Sequence, residues 1–279
     1  MTVPVSIAGK GPYRFLVDTG AERTVIAREL AHRLQLSPGN RAMLHTMSGS
    51  GEVATVIIPK LDLSAQSVRQ IHAPSLAALN IGAVGMLGID SLQQQRVVFD
   101  FGKKTMSITP SARLEQRWDP ETVVVTARSR YGRLVLVDAQ AEGEKLLVIL
   151  DSGSQVTVGN EALRNRLIAK KKMGDTYPVE LVSVTGGVTS ADLTAVGQVA
   201  IGGMTIRDLP VAFADVHPFR QLKLTDQPAI LLGMDAFKLF DRVSVDFARK
   251  KVRFLPPRSG AAAADPRPQP ARLRGFRQQ

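Results

Sequence analysis

The 279-residue chain contains no cysteine, a single tryptophan and three tyrosines. Without a thiol it can form no disulfide, no thiolate nucleophile and no cysteine-ligated metal site. Its four histidines, His32, His45, His72 and His217, lie far apart and show none of the short spacings of metal ligands. No metal or other cofactor is expected, and each histidine reads as a surface or packing residue. Aromatic residues make up only 5% of the chain, too few for an obvious platform on which bases could stack. No stretch reaches the roughly 18 to 20 uninterrupted apolar residues of a membrane-spanning helix. After Met1 the sequence runs at once into strand-like VPVSIAG, with no basic-then-apolar leader. That start, together with the lack of cysteine, suits the mature part of an exported, periplasmic protein as well as a cytoplasmic one, and the first is the expectation.

What the chain has in excess is positive charge, +11 at neutral pH. Much of it sits at the end. The stretch RSGAAAADPRPQPARLRGFRQQ, residues 258–279, holds Arg258, Arg267, Arg272, Arg274 and Arg277 against the single acid Asp265. Its Pro/Ala/Arg composition reads as a disordered basic tail. Elsewhere the basic runs AKKKMG and ARKKVRF are short and lack interleaved aromatics, as solvated turns or strand faces do. No nucleic-acid partner is expected from this distribution. With 44% hydrophobic residues there is ample material for a packed core.

A repeat organises the rest. FLVDTGAERTVIARELAHRL, from Phe15, lies without a gap over VILDSGSQVTVGNEALRNRL, from Val148, matching Asp18 with Asp151, Gly20 with Gly153, Thr24 with Thr157 and Leu30 with Leu163. A second block, MLGIDSLQQQRVVFDFGKKTMSI from Met86, lies over LLGMDAFKLFDRVSVDFARKKVRF, with one added residue before the last strand. Between the halves, TPSARLEQRWDPE has two prolines and little apolar periodicity and reads as a linker. The expected organisation is a first lobe at 1–110, a linker at 111–120, a second lobe at 121–257 and the tail at 258–279.

Each lobe is strand-rich by pattern, with β-branched and alternating apolar segments bounded by Gly, Pro and Ser. Two short helices are expected per lobe, one after the Asp turn (IARELAHRLQL, NEALRNRL) and one after the Leu-Gly step (IDSLQQQ, MDAFKLF). Asp90 and Asp235, near the start of the second helix, read as N-caps.

An acid that ends an apolar strand must be paired, hydrogen-bonded or neutralised. Here the two such acids occupy equivalent points of the repeat. The motifs VDTGA (17–21) and LDSGS (150–154), each followed by an apolar-apolar-Gly step (MLGID at 86–90, LLGMD at 231–235), resemble those of the retropepsin-like aspartic proteases, the clan that includes the two-lobed pepsins. The resemblance covers nearly all of both lobes. It implies a mainly β fold of two tandem retropepsin-like barrel lobes related by a pseudo-twofold axis, with short helices. It also implies a monomer in which one chain supplies both halves of what retroviral enzymes assemble from two.

By that resemblance Asp18 and Asp151 are the expected catalytic pair of an endopeptidase that needs no metal or cofactor and binds a protein or peptide substrate as an extended strand. Thr19 and Ser152 are expected to hydrogen-bond across the interface, and Gly20 and Gly153 to let backbone approach the carboxylates. Gly88 and Gly233 are expected to permit close packing under the Asp turns. The covering flaps are expected in LHTMSGSGEVATV (44–56), with Met47, Gly49 and Gly51 at the tip, and in LVSVTGGVTSADLTAV (181–196), with Gly186 and Gly187. The alternative is a catalytically silent peptide-binding or structural module of the same two-lobed fold. Ala21 in one turn and Ser154 in the other form a mixed pair, which leaves the working pH open.

Overall fold

A computed structural model describes residues 1–63, 66–115 and 117–257 and the backbone of 273–274. The expected basic tail, 258–279, otherwise lies outside the described residues. Lobe one comprises β1 (Val3–Ile7), β2 (Lys10–Val17), β3 (Val25–Ala27), α1 (Arg28–Arg33), β4 (Pro38–Thr46), β5 (Gly49–Leu63), β6 (Gln66–Leu76), α2 (Ala78–Ile81), β7 (Gly85–Leu87), α3 (Ile89–Leu92), β8 (Gln95–Asp100) and β9 (Thr105–Pro110). Lobe two comprises β10 (Val123–Arg130), β11 (Arg133–Leu136), β12 (Ala139–Ala141), β13 (Glu144–Lys145), β14 (Leu147–Leu150), β15 (Val158–Gly159), α4 (Glu161–Ala169), β16 (Tyr177–Val182), β17 (Val188–Ile201), β18 (Met204–Phe213), α5 (His217–Gln221), β19 (Ala229–Leu232), α6 (Met234–Phe237), β20 (Arg242–Asp246) and β21 (Lys251–Leu255). A two-residue strand, β22 (Leu273–Arg274), runs parallel to β16.

The strands follow their period-2 pattern. In β1 the side chains of Val3, Val5 and Ile7 are buried while Pro4 is exposed, and Leu61 and Leu63 of β5 turn inward to meet them. The order β1-β2-β7-β3-β6-β5 closes on itself through a β1–β5 pairing, so lobe one is a six-stranded barrel with β4 added at its edge.

Lobe two repeats the central pairings. β2 lies parallel to β7, with Val17 opposite Leu87, and β14 lies parallel to β19, with Leu150 opposite Leu232. β3 pairs antiparallel with β7 and parallel with β6; β15 does the same with β19 and β18. Each Asp turn therefore leaves the end of a strand buried between parallel and antiparallel neighbours.

The lobes share backbone. β8 of lobe one pairs antiparallel with β20 of lobe two, so that β9, β8, β20, β21 and β10 form one sheet across the boundary. Behind it Phe99 of lobe one meets Phe237 of lobe two edge-on, with ring centroids 5.6 Å apart. Burying such a ring stabilises by roughly 1.5 to 3 kcal/mol relative to exposure. The segment read from sequence as a bare linker is anchored on this sheet. The Trp118 ring lies under the guanidinium groups of Arg242 and Arg253, 5.5 and 5.9 Å from its centroid, and Glu115 pairs with Arg253 at 2.7 Å.

Four of the six described helices begin near where the pattern predicts them, whereas α2 and α5 add a third to each lobe, and Asp90 and Asp235 are not N-caps. Gly88 and Gly233 occupy those positions. The two aspartates reach instead to the chain just beyond each Asp turn. Asp90 Oδ1 accepts from the Thr24 amide at 2.9 Å and hydroxyl at 2.6 Å; Asp235 accepts from the Thr157 amide at 2.9 Å and hydroxyl at 2.7 Å. A buried hydroxyl and amide offered together hold a carboxylate more firmly than the free amides of a one-turn helix.

Candidate active site

Asp18 and Asp151 each begin a tight turn fastened from both sides. The Asp18 amide donates to the Leu87 carbonyl at 2.9 Å and the Asp151 amide to the Leu232 carbonyl at 3.0 Å, tying each turn to the Leu-Gly step of its own lobe. Within the turns, Asp18 Oδ1 accepts from the amides of Gly20 and Ala21 at 2.8 and 3.0 Å. Asp151 Oδ1 accepts from those of Gly153 and Ser154, both at 3.2 Å. These bonds fix the carboxylate orientation without using the outer oxygens.

The two turns face each other. The carboxyl groups of Asp18 and Asp151 are close enough for the charge of one to bear on the other. Each glycine lies against the opposite acid: a Cβ at Gly20 would stand 2.7 Å from Asp151 Oδ1, and one at Gly153 would overlap the Asp18 carboxyl oxygens. Only a residue without a side chain lets the turns come this close. Below them, a Cβ at Gly233 would meet the Val156 carbonyl at 2.6 Å, and Gly88 stands in the same relation to Arg23. Thr19 and Ser152 lock the pair. The Thr19 hydroxyl donates to the Leu150 carbonyl at 2.9 Å and accepts from the Ser152 amide at 3.0 Å. The Ser152 hydroxyl donates to the Val17 carbonyl at 2.8 Å and accepts from the Thr19 amide at 3.1 Å.

Burial first, and then the neighbouring Asp151 charge, push the Asp18 carboxyl up to about 7; burial likewise raises Asp151. Two acids in contact in a dry turn hold one proton between them more readily than they hold two charges. The hydroxyl of Ser154, which stands where the other turn has Ala21, donates to the Val156 carbonyl at 2.7 Å and so is directed away from the Asp151 carboxyl.

Residues 3–94 match the family described as "gag-polyprotein putative aspartyl protease", and residues 137–236 match the family described as "Aspartyl protease". The chain belongs to the retropepsin-like aspartic proteases. Two domains of that family stand in tandem, and a protease-type function follows from them. No curated protein matches the chain.

In this two-domain aspartic protease the acids form the floor of a cleft of about 1060 Å3, part of it open to solvent. Its roof is the pair of hairpins expected to be flaps. Hairpin β4–β5 turns at Met47 and Ser48, with Gly49 at φ +142°, and hairpin β16–β17 turns through residues 183–187, with Gly186 at φ +87°. Met47 and the strand before it line the cleft, whereas Gly49, Gly51, Gly186 and Gly187 do not. The tips touch: the Ser48 hydroxyl donates to that of Ser183 at 2.9 Å, and Gly187 packs against the Ser48 side chain.

Three residues around the cleft of this protease carry no signal in the sequence pattern. His45 of β4 and His217 of α5 stack with centroids 5.0 Å apart and share a hydrogen bond between Nδ1 and Nε2 at 2.8 Å, joining the first hairpin to the second lobe. The His217 amide also donates to the Met47 carbonyl at 3.2 Å. Arg133, buried at the start of β11, donates from Nε to the Gly20 carbonyl at 2.6 Å. Among the described residues no group of three or more His, Cys, Asp or Glu could hold a metal ion, and no helix is long and apolar enough to cross a membrane.

Proposed function

We propose that the chain is an aspartic endopeptidase that hydrolyses peptide bonds with Asp18 and Asp151, one from each lobe of a single chain. The observation that carries this reading is the approach of two carboxyls, each lying against the glycine of the opposite turn and held by matching amide bonds, at the floor of a covered cleft. Burial raises both carboxyls, and the pair shares one proton between them.

The chemistry follows from that sharing. The ionised carboxylate draws a proton from a water held between the pair, making the oxygen nucleophilic toward the carbonyl carbon of the substrate. The protonated partner donates to the carbonyl oxygen as the tetrahedral intermediate forms. Collapse breaks the C–N bond: one hydroxyl of the intermediate returns its proton to the ionised carboxylate as the carbonyl re-forms, the departing nitrogen takes the proton of the other carboxyl, and the dyad is left in its one-proton state. Gly20 and Gly153 bring the acids together, and Thr19 and Ser152 hold the separation constant through the cycle. The substrate lies as an extended strand between the floor and the hairpins, where the outer edge of β4, which pairs only with β5 among the described strands, can pair with it. Met47, with Gly49, Gly51, Gly186 and Gly187 at the tips, forms the flaps that part to admit it.

The pairing of β8 with β20, which joins the lobes in one sheet, supports a monomer as the working unit, expected as a one-chain particle in sedimentation. The test of catalysis is cleavage of a peptide library read by mass spectrometry. Asp18→Asn and Asp151→Asn are each expected to reduce turnover at least about 100-fold, the scale of a lost acid–base group, with the circular dichroism spectrum unchanged. Cleavage that persists undiminished in both variants overturns the assignment. Peptide binding without cleavage by the wild type places the chain with the catalytically silent modules of this fold.

A further inference from the structure

The repeat relates the two Asp turns, yet one strong contact at the cleft floor breaks that symmetry. Arg133 belongs to lobe two but reaches the turn of lobe one. Its Nε donates to the Gly20 carbonyl at 2.6 Å, and its Nη2 donates to Gln221 Oε1 at 3.2 Å and stands 4.0 Å from Glu22 Oε1. Among the described residues no side chain makes the matching bond to the Gly153 carbonyl. The side chain is buried and Nη1, also buried, has no hydrogen-bond partner.

A guanidinium does not lose its proton inside a protein, so this charge is permanent and must be balanced. Glu22 balances it poorly: the separation is 4.0 Å, its side chain is 42% exposed, and its Oε1 already accepts from Gln221 Nε2 at 2.8 Å. The other groups around the site are Arg23 beside Glu22, His45 on β4, and His217 and Arg220 on α5; the one acid beside them, Asp215, is paired with Arg220. The remaining counter-charge lining the same cleft is the single negative charge of the Asp18–Asp151 pair.

We propose that Arg133 is a positioning residue of the dyad: it clamps the lobe-one turn through the Gly20 carbonyl, and its fixed charge keeps one of the two carboxyls ionised. This rests on the catalytic reading of Asp18 and Asp151. Among the influences on Asp151, burial raises its carboxyl and the Arg133 charge is the largest that opposes it; the same charge acts downward on Asp18. Without it, burial is met only by the amides of the turns, and the pair takes up its protons at higher pH.

The test compares Arg133→Gln, Arg133→Met and Arg133→Lys with the wild type in two measurements. One is the pH profile of kcat/KM on a fluorogenic peptide. The other is the titration of the aspartate carboxyls by 13C NMR, which does not require cleavage. Arg133→Gln keeps a donor for Gly20 without the charge, and Arg133→Met keeps neither. Both are expected to move the two limbs of the profile, and the carboxyl titrations, upward by about one pH unit or more, the shift that an opposite charge at this range produces. Arg133→Lys keeps the charge and is expected to hold the limbs near their wild-type places while turnover falls from a weakened clamp. If the uncharged variants lose rate uniformly with both limbs and titrations unmoved, Arg133 is structural and the proposal is overturned. If no variant or wild type cleaves peptide but the carboxyl titrations shift as stated, the catalytic reading fails and the role of Arg133 in ionising the pair stands. If Arg133→Met does not fold, Arg133→Gln decides.

Discussion

Thr19 and Ser152 exchange hydrogen bonds across the boundary between the lobes: each hydroxyl oxygen accepts the other residue's amide, at 3.0 and 3.1 Å, and each hydroxyl donates to a carbonyl of the opposite strand. Both residues are buried. Removing either hydroxyl leaves an amide and a carbonyl without partners in a dry interface, where each unsatisfied group costs about 1 to 3 kcal/mol. Thr19→Val and Ser152→Ala are therefore each expected to lower unfolding stability by about 2 kcal/mol. Because the four bonds form one unit, the double variant should lose clearly less than the sum of the two. Urea unfolding of the three proteins measures this, and strict additivity would argue against a single locked unit.

The glycines of the two turns make a sharper prediction. A methyl at Gly153 would occupy the space of the Asp18 carboxyl, and one at Gly20 that of Asp151. Gly153→Ala and Gly20→Ala should force the acids apart, so turnover is expected to drop by about 100-fold, the penalty of a displacement near 1 Å at reacting groups. Catalytic loss without loss of peptide affinity is the expected kinetic pattern. A Gly153→Ala variant with wild-type kcat would show that the acids need not touch.

Most of what positions the dyad could be read along the chain, because its parts are local and occur twice. A carboxylate, a hydroxyl and a glycine in succession, after apolar strand residues, appear in both halves, and the Leu-Gly step marks the strand that crosses beneath each. What the chain did not disclose is long-range and unrepeated. His45 and His217 are 172 residues apart, and Arg133 reaches Gly20 across 113. Neither contact leaves a periodicity, and a lone buried arginine looks in sequence like any of the others in a chain of this charge. Asp90 and Asp235 were misread for a different reason. Each lies at the start of a helix, where capping is the ordinary local use of an aspartate, but Thr24 and Thr157 offer paired donors from a distant turn. Trp118 carries no pattern in the sequence, being one aromatic among prolines, although two arginines of the shared sheet lie over its ring.

The raised carboxyl of Asp18 carries a stability consequence whose sign is opposite to that of an ordinary salt-bridged acid. Its folded value, about 7, lies above the 3.8 of the free group, so between these limits the folded chain binds more protons than the unfolded one and stability falls as pH rises. Asp18→Asn removes this penalty while keeping the shape. The variant is expected to gain on the order of 2 kcal/mol over the wild type at pH 7 and little or nothing at pH 4. Thermal unfolding at the two pH values checks it; an equal effect at both would mean that Asp18 does not titrate in this window.

The stacked pair His45 and His217 ties the first hairpin to the second lobe, and its hydrogen bond requires that at least one ring nitrogen be free to accept. Burial, followed by the neighbouring charges of His45, Arg220 and Arg133, holds His217 below its usual 6.5. With the folded value depressed, the neutral ring is favoured in the native state, so the tie is complete above about 6.5 and weakens as pH falls through the folded value. Amide exchange in residues 42–52, corrected for the intrinsic pH dependence of exchange, is therefore expected to quicken relative to the barrel strands as the pH falls below the ordinary histidine value of 6.5. His217→Phe keeps the stacking surface without the nitrogen, and in that variant the hairpin should exchange faster at neutral pH and lose its extra acceleration in acid. Equal protection of the hairpin at pH 5 and pH 8 in the wild type would show that the Met47 carbonyl and the Ser48–Ser183 contact, and not the histidines, hold it down.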